Sequence, residues 1–168
     1  MAVYRGCSLF LNSVRLSDSV AYTPPEISVD VARYKAGAMP VSVGVPRCIK
    51  PMTAHYKIAG MDPTAFLFLG LTAGARARLT VRRVYRVGET VVFLHDELEG
   101  FIDSIRTDEH GSDSKLNVGQ EMSMTVNYYR VSVDGVQSLL EINAALGTTK
   151  IMGVDPQRIS GAISGILT

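Results

Sequence analysis

Residues 122–142, MSMTVNYYRVSVDGVQSLLEI, carry the clearest structural signal in this chain. Two apolar stretches rich in β-branched and aromatic residues, which favour strands, flank Asp134 and Gly135. An Asp-Gly pair accepts the positive φ angles of a two-residue type I′ turn. The segment is therefore predicted to form a β-hairpin.

The first strand of this hairpin changes the face on which its apolar residues fall. Apolar positions share one parity from Met122 to Tyr128 and the other parity from Tyr129 onward. A strand whose buried face changes midway carries a bulge or leaves its own core to meet a neighbour. We expect one of these two features, and either suits a subunit that assembles with its own copies.

Three further segments alternate apolar and polar residues with the period of two that marks a strand with one buried face. They lie at residues 27–32, 53–58 and 79–86. Their apolar positions are Ile27, Val29 and Val31, then Ala54, Tyr56 and Ile58, then Leu79, Val81 and Tyr85. The chain is therefore predicted to be mainly β.

Two short helices are predicted, and both begin at an Asp-Pro pair. In the first, Asp62 can cap the exposed amides, Pro63 has its φ preset for the first turn, and Gly70 can end the helix. The second is expected at about residues 155–167, where isoleucines recur at helical spacing and glycines weaken the helix.

Exposed loops are predicted at residues 34–46, which are rich in Gly and Pro, and at the polar residues 106–119. The two cysteines, Cys7 and Cys48, lack the close spacing of a metal or redox motif and are expected to be reduced thiols.

The composition fits one packed domain spanning residues 1–168. Hydrophobic residues make up 46% and charged residues 20%, values that favour neither disorder nor a coiled coil. A net charge of +1, from 17 basic and 16 acidic side chains, disfavours tight nucleic-acid binding. The apolar run at 65–69 is far shorter than the ~18 residues that cross a bilayer, so membrane insertion is not expected.

Groups with potential chemistry are few. His95 and His110 lie among carboxylates, but without the spacing of a zinc site or a calcium loop, and both groups are interpreted as solvated turns. The motifs of serine hydrolases, zinc proteases, P-loops and dinucleotide folds do not occur in the sequence. We therefore predict no catalytic, cofactor or metal site, and no enzymatic activity.

The arginines at residues 76–86 form the one basic concentration in the sequence. Alternation places Arg82 and Arg86 on one strand face and Arg83 on the other, with Val81 and Tyr85. The arginines therefore do not form one stripe for phosphates, and intersubunit ion pairs or a solvated face are the default interpretation.

Several motifs occur in an order and spacing that belong to one family. They are NYYRVSVDG at 127–135, LEIN at 140–143 and IMGVD at 151–155, preceded by YKAGAM at 34–39 and by the loop within 103–121. In these motifs the chain resembles the major tail tube proteins of contractile-tailed bacteriophages and R-type pyocins.

The resemblance implies a β-sandwich or incomplete barrel with one or two short helices, which completes a multi-subunit β-barrel tube on oligomerisation. Hexameric rings would stack into a tube inside a contractile sheath, and its lumen would conduct DNA on ejection. The implied partners are copies of the chain, the tail sheath, the tape measure, baseplate and tail terminator proteins, and transient non-specific DNA. The implied location is the virion tail tube, assembled in the bacterial cytoplasm, with no cofactor.

Residues of these motifs are the candidates for subunit contacts. They are Tyr34, Lys35, Gly37, Met39, Tyr128, Tyr129, Arg130, Asp134, Gly135, Val154 and Asp155. The near-neutral net charge further predicts a lumen that is polar and not strongly basic, because tight phosphate binding would arrest moving DNA. The two predicted loops are expected to become ordered at intersubunit or inter-ring contacts.

Alternatives from the same and from other classes remain open at this point. A type VI secretion-like tube or a pyocin tube without DNA passage shares the architecture. A lipocalin-like ligand-binding barrel would also alternate, but it needs an apolar interior and a closed up-and-down barrel. A hydrolase with an unrecognised site is the third.

Overall fold

A computed structural model describes residues 1–16, 20–71, 74, 76–109, 118–135 and 137–156. The described part contains eleven strands and one short 3-10 helix at Pro63–Phe68. The strands are β1 Ala2–Leu11, β2 Val14–Arg15, β3 Val20–Thr23, β4 Val29–Tyr34, β5 Val43–Ile49, β6 Met52–Ala59, β7 Ala77–Val87, β8 Thr90–Thr107, β9 Gly119–Val133, β10 Gln137–Asn143 and β11 Thr148–Ile151.

Six strands form a wide antiparallel sheet in the order β11-β10-β9-β8-β7-β1, with β2 short beside the end of β1. The strands β3 and β6 pair with each other, and β6 also pairs with β9. The strands β4 and β5 form a separate two-stranded sheet. The protein is thus mainly β with sheets that are not closed, which confirms the predicted sandwich or incomplete barrel.

The strand β9 belongs to both layers because it changes partners along its length. Its residues 119–126 pair with β6, whereas residues 128–133 pair with β10 on the same flank. Between them, Asn127 has no partner on β8, where Gly100 pairs with Val126 and Glu99 with Tyr128. This irregularity confirms the predicted bulge and explains the change of parity.

The predicted hairpin at 122–142 is confirmed, with one difference in its turn. Asp134 and Gly135 have φ angles of 50° and 72°, as a type I′ pair requires. However, β9 ends at Val133 and β10 begins at Gln137, which pairs with Val133, so the connection is longer than the two residues predicted.

The strands predicted at 53–58 and 79–86 are confirmed as parts of β6 and β7, because Ala54, Tyr56, Ile58, Leu79 and Val81 lie in the core.

The prediction for 27–32 was right about the strand and wrong about its burial. Val29 and Val31 are 46% and 51% exposed, because β4 pairs only with β5 in the described part and does not cover the core.

The first predicted helix is confirmed as a 3-10 helix, and its cap is as expected: the Asp62 carboxylate accepts the N–H of Thr64 at 2.9 Å. The second predicted helix, at about 155–167, lies mostly in residues 157–168, outside the described part.

Two loop predictions need correction, since β5 begins at Val43 and β8 continues to Thr107. The carboxylates around His95 are also in strand β8 and not in a turn. The sequence did not indicate this strand because polar residues interrupt its alternation of apolar side chains.

One buried cluster joins the two layers. It combines Leu9 and Leu79 of the wide sheet with Tyr56 of β6 and Met124 of β9. At the bulge the two backbones come so close that a Cβ added to Gly100 would lie 1.8 Å from the carbonyl oxygen of Thr125. Only glycine fits at this position.

Gly100→Ala is therefore expected to lower the free energy of unfolding by about 3 kcal/mol, because backbone cannot move aside as a side chain can. The control is Gly44→Ala, whose Cβ would meet only the Cγ1 of Val31 at 3.0 Å. Urea denaturation of the unassembled protein, followed by circular dichroism, measures both. Equal losses in the two variants would contradict the packing argument.

Candidate assembly surfaces

The hairpin formed by β4 and β5 projects as an arm, which we define as residues 27–49. No other strand of the described residues pairs with it or packs extensively against it. Its exposed apolar residues are Ile27, Val29, Val31, Tyr34, Met39, Val41, Val43 and Val45. An isolated two-stranded hairpin is marginally stable in water, and an apolar surface of this kind marks an interaction site.

Four of the candidate contact residues lie together at the tip of this arm. Tyr34 ends β4, and Lys35, Gly37 and Met39 follow in the turn that leads to β5. Gly37 has a φ of 48°, a left-handed conformation that a side chain would strain. All four are exposed.

The next three candidates lie on β9 and point to both faces of the wide sheet. Tyr128 and Arg130 are half-buried on the outer face, which we define as the face opposite the core. Tyr129 points inward and packs in the core. Burial raises the pKa of Tyr129. Of this aromatic pair, Tyr129 therefore packs in the core and Tyr128 lies on the outer face.

The candidates in the hairpin turn support the fold directly. The Asp134 N–H donates to the carbonyl oxygen of Phe93 at 2.7 Å, and its carboxylate accepts the Phe93 N–H at 3.1 Å. These bonds fix the β9–β10 turn beside β8, and Gly135 completes the turn.

The last two candidates follow the edge strand β11. Val154 is exposed and its backbone bonds reciprocally with Ile151, while Asp155 is half-buried. The structure therefore does not bring the eleven candidates into one site but places them in separate regions of the surface and core.

One outer edge of the wide sheet is β11. The Met152 N–H bonds toward β10, to Leu139 at 2.9 Å, whereas the Ile151 N–H bonds away from it, to Val154 at 2.8 Å. Alternation along the strand places the N–H of Thr149 on the side away from β10 as well. Thr149 therefore presents backbone groups at an edge that a further strand can extend.

The opposite edge is β1. Only Phe10 and Leu11 pair with β2, so residues 2–8 have no paired strand on that flank within the described ranges. The wide sheet thus has an incomplete edge at each end.

A buried polar network lies inside the sandwich, and sequence reasoning missed it. The fully buried Asp96 carboxylate accepts from the Arg83 guanidinium at 2.7 Å and from the Tyr22 hydroxyl at 3.1 Å. Burial raises the pKa of Asp96, and the bonds from Arg83 and Tyr22 oppose that rise. The network joins β3, β7 and β8. The parity of Arg83, on the face of Val81 and Tyr85, was the signal for it.

The ends of the 106–119 loop are held together at its base. The Asp108 carboxylate pairs with the Lys57 ammonium at 2.7 Å and accepts the Gly119 N–H at 3.0 Å. The bond from Lys57 holds the pKa of Asp108 below its usual value. Residues 110–117 of the loop lie outside the described part.

Within the described ranges, no three His, Cys, Asp or Glu side chains are grouped as metal ligands. No helix in this part of the chain is long and apolar enough to span a membrane.

An open sheet with two incomplete edges and an apolar arm is typical of a subunit that assembles with other chains. The chain belongs to the phage tail tube protein FII family, whose model matches residues 3–158. It is a structural, non-enzymatic tail tube protein of a phage-like particle.

Solved structures show the same fold at low sequence identity. A chain of the sheath-tube complex of an extracellular contractile injection system, PVC, is similar with a TM-score of 0.58 and 13% identity, covering 77% of this chain and 88% of that one. A chain of the anti-feeding prophage tube-terminating cap has a TM-score of 0.58 and 12% identity, covering 76% and 87%. A chain of the PVC sheath/tube terminator has a TM-score of 0.58 and 13% identity, covering 77% and 93%. No curated protein matches the chain.

Asp96→Asn is expected to lower the free energy of unfolding by about 3 kcal/mol, because it leaves the Arg83 guanidinium without a counter-ion in the core. The matched control is Glu99→Gln, which removes the carboxylate that pairs with Arg78 at the surface. That change should cost about 0.5 kcal/mol, since solvent screens exposed pairs. Denaturant titration of both variants tests this, and a loss at Glu99 as large as that at Asp96 would contradict it.

Proposed function

We propose that this chain forms the inner tube of a contractile tail, as rings of six copies that stack inside a sheath. The observation that carries the proposal is an apolar arm that no described strand covers, beside a sheet with two incomplete edges in the described part of the chain. Both features are costly in water and are relieved by copies of the same chain.

The two edges of the wide sheet support closure around an axis. A sheet that ends at β11 on one side and β1 on the other can continue into the next copy at both ends, in a head-to-tail arrangement. Head-to-tail contacts form a ring when the rotation between copies closes. The inner face already packs on β6 and β3, so each copy can add to the wall without losing its own core.

The arm supplies the second contact in this proposal. Burying its apolar side chains on a neighbouring copy removes them from water at about 25 cal/mol per Å², and gives the hairpin the packing that it lacks alone. The candidate residues Tyr34, Lys35, Gly37 and Met39 at the tip then lie at a contact between copies. The 106–119 loop is proposed as a further contact.

The proposed partners follow from the place of a tube in a tail. They are the sheath outside, the terminator and baseplate at the two ends, and the tape measure protein and DNA in the lumen. Assembly takes place in the host cytoplasm. The alternative is a tube of the same architecture in a particle that injects no DNA, and the fold shared with an extracellular contractile injection system fits that alternative equally well.

Replacing two arm residues, Val41→Ser with Val43→Ser, is expected to raise the protein concentration needed for tube formation at least tenfold. Each valine would lose about 1.5 kcal/mol of burial at the contact, and every 1.4 kcal/mol changes an equilibrium about tenfold. The stability of the unassembled protein should change by less than about 0.5 kcal/mol, as for most surface changes.

Sedimentation and negative-stain microscopy over a concentration series measure this effect. The matched control is Leu67→Ser with Leu71→Ser, which removes two exposed apolar residues outside the arm. If the control weakens assembly as much as the arm variant, contact through the arm is not the cause.

Thr149→Pro is expected to prevent tube growth while leaving the subunit folded, because proline removes an N–H that points away from β10 and is tolerated on edge strands. The comparison is Thr148→Pro, which removes an N–H directed at β10 and should destabilise the subunit itself. Microscopy for tubes and thermal unfolding for the subunit separate the two. Normal tubes from folded Thr149→Pro would overturn edge pairing at β11.

A further inference from the structure

A row of directly opposed side chains crosses the outer face of the wide sheet, one from each of its six strands. The pairings run from Phe10 to Thr80, Glu97, Arg130, Glu141 and Lys150. Directly opposed residues share a face and have Cβ atoms ~5 Å apart. The last four positions therefore alternate acidic and basic groups across β8, β9, β10 and β11.

A second row beside it repeats the balance of charge. It runs through Arg78, Glu99, Tyr128, Asn143 and Thr148. Arg78 forms an ion pair with Glu99. Across the two rows, the three cations Arg78, Arg130 and Lys150 face the three carboxylates Glu97, Glu99 and Glu141.

The environment of Tyr128 shows that charges of both rows act on the same place. Its hydroxyl donates to the Glu141 carboxylate at 3.4 Å. Burial raises the pKa of Tyr128, the charges of Glu141 and Glu97 raise it further, and Arg130 opposes them. The carboxylates therefore act on the same small region of surface as Arg130.

Two further arginines lie on this face, nearer the β7–β8 turn. Arg82 stacks on the Phe10 ring at 5.2 Å, and the Arg86 Nε donates to the carbonyl oxygen of Gly88 at 2.8 Å. Without Glu97, Glu99 and Glu141 the charged side chains of the two rows and beside them would be the cations of β7, β9 and β11. Such a surface binds polyanions by releasing their counterions.

We infer that the outer face of the wide sheet lines the lumen, and that Glu97 and Glu141 keep its arginine and lysine side chains from retaining duplex DNA. This rests on the proposed tube. The wide sheet is the layer with an incomplete edge at each end, so it forms the wall. Its inner face is buried against β6 and β3, which leaves the outer face for the axis.

Glu97 and Glu141 lie directly opposite Arg130 on the two strands that flank it, since β8 and β10 both pair with β9. Negative charges on both neighbouring strands make the local potential less positive, so a phosphate gains less there than beside a cation without such neighbours. The lumen surface is therefore polar but does not bind the phosphates of DNA tightly. Glu97 and Glu141 are thus specificity-determining residues for a cargo that must move.

The test compares tubes of Glu97→Gln with Glu141→Gln against tubes of the wild type and of Asp103→Asn with Glu121→Gln. Both double variants gain the same charge, but Asp103 and Glu121 are exposed on the parts of β8 and β9 that belong to the layer formed with β6. The probe is a fluorescent duplex of ~20 base pairs, added to open-ended tubes that are then sedimented.

We expect at least tenfold more duplex in the pellet for Glu97→Gln with Glu141→Gln than for the other two tubes at low salt, with release as salt rises. The retained duplex should resist a nuclease fixed to beads, which cannot enter the lumen. Equal retention by the two double variants, or none by either, overturns the inference. Absence of tubes from the wild type instead overturns the proposed function.

A second measurement tests the orientation without changing charge. Thr80→Cys, in a Cys48→Ser background, places a thiol in the central row of the outer face. In assembled tubes it should react with a small maleimide and not with maleimide fixed to beads, relative to the background variant alone. Reaction with the beads along the tube would place this face outside and overturn the inference.

Discussion

Gly100 and Asn127 lie where the two longest strands, β8 and β9, pass from one layer of the sandwich to the other. The backbone of Gly100 is in contact with Thr125, and Asn127 is the extra residue that lets β9 leave β6 and continue beside β10. The division of β9 between two partners separates the layer formed with β6 from the wide sheet.

The local features could be predicted from the sequence because each depends on a few neighbouring residues. The hairpin with Asp134 and Gly135, the cap at Asp62 and the parity change near Asn127 are of this kind. The burial of Val29 and Val31 could not be predicted, since a two-residue period shows that one face is apolar but not which surface covers it. In this protein, no strand of the described part covers it.

The buried polar network and the charged rows could not be predicted without knowing the register between strands that are distant in the sequence. Arg83 lies on the inward parity in the sequence, but its partner on β8 is set only by the pairing of β7 with β8. The row through Glu97 depends on pairings across six strands, and a shift of one residue in β8 would send the Glu97 side chain to the other face. No signal within a single segment could have shown them.

The carboxylates around His95 lie on one strand but point to opposite faces of the sheet. Asp96 points into the core and pairs with Arg83, where burial makes an unpaired charge costly. Glu97 and Glu99 point outward, where water screens them and their effect depends on the side chains beside them. Because side chains alternate along β8, one carboxylate of this run stabilises the core and its neighbours lie on the outer face of the sheet. Since both uses depend on the same pleat, the register that buries Asp96 also fixes the charge presented by the outer face.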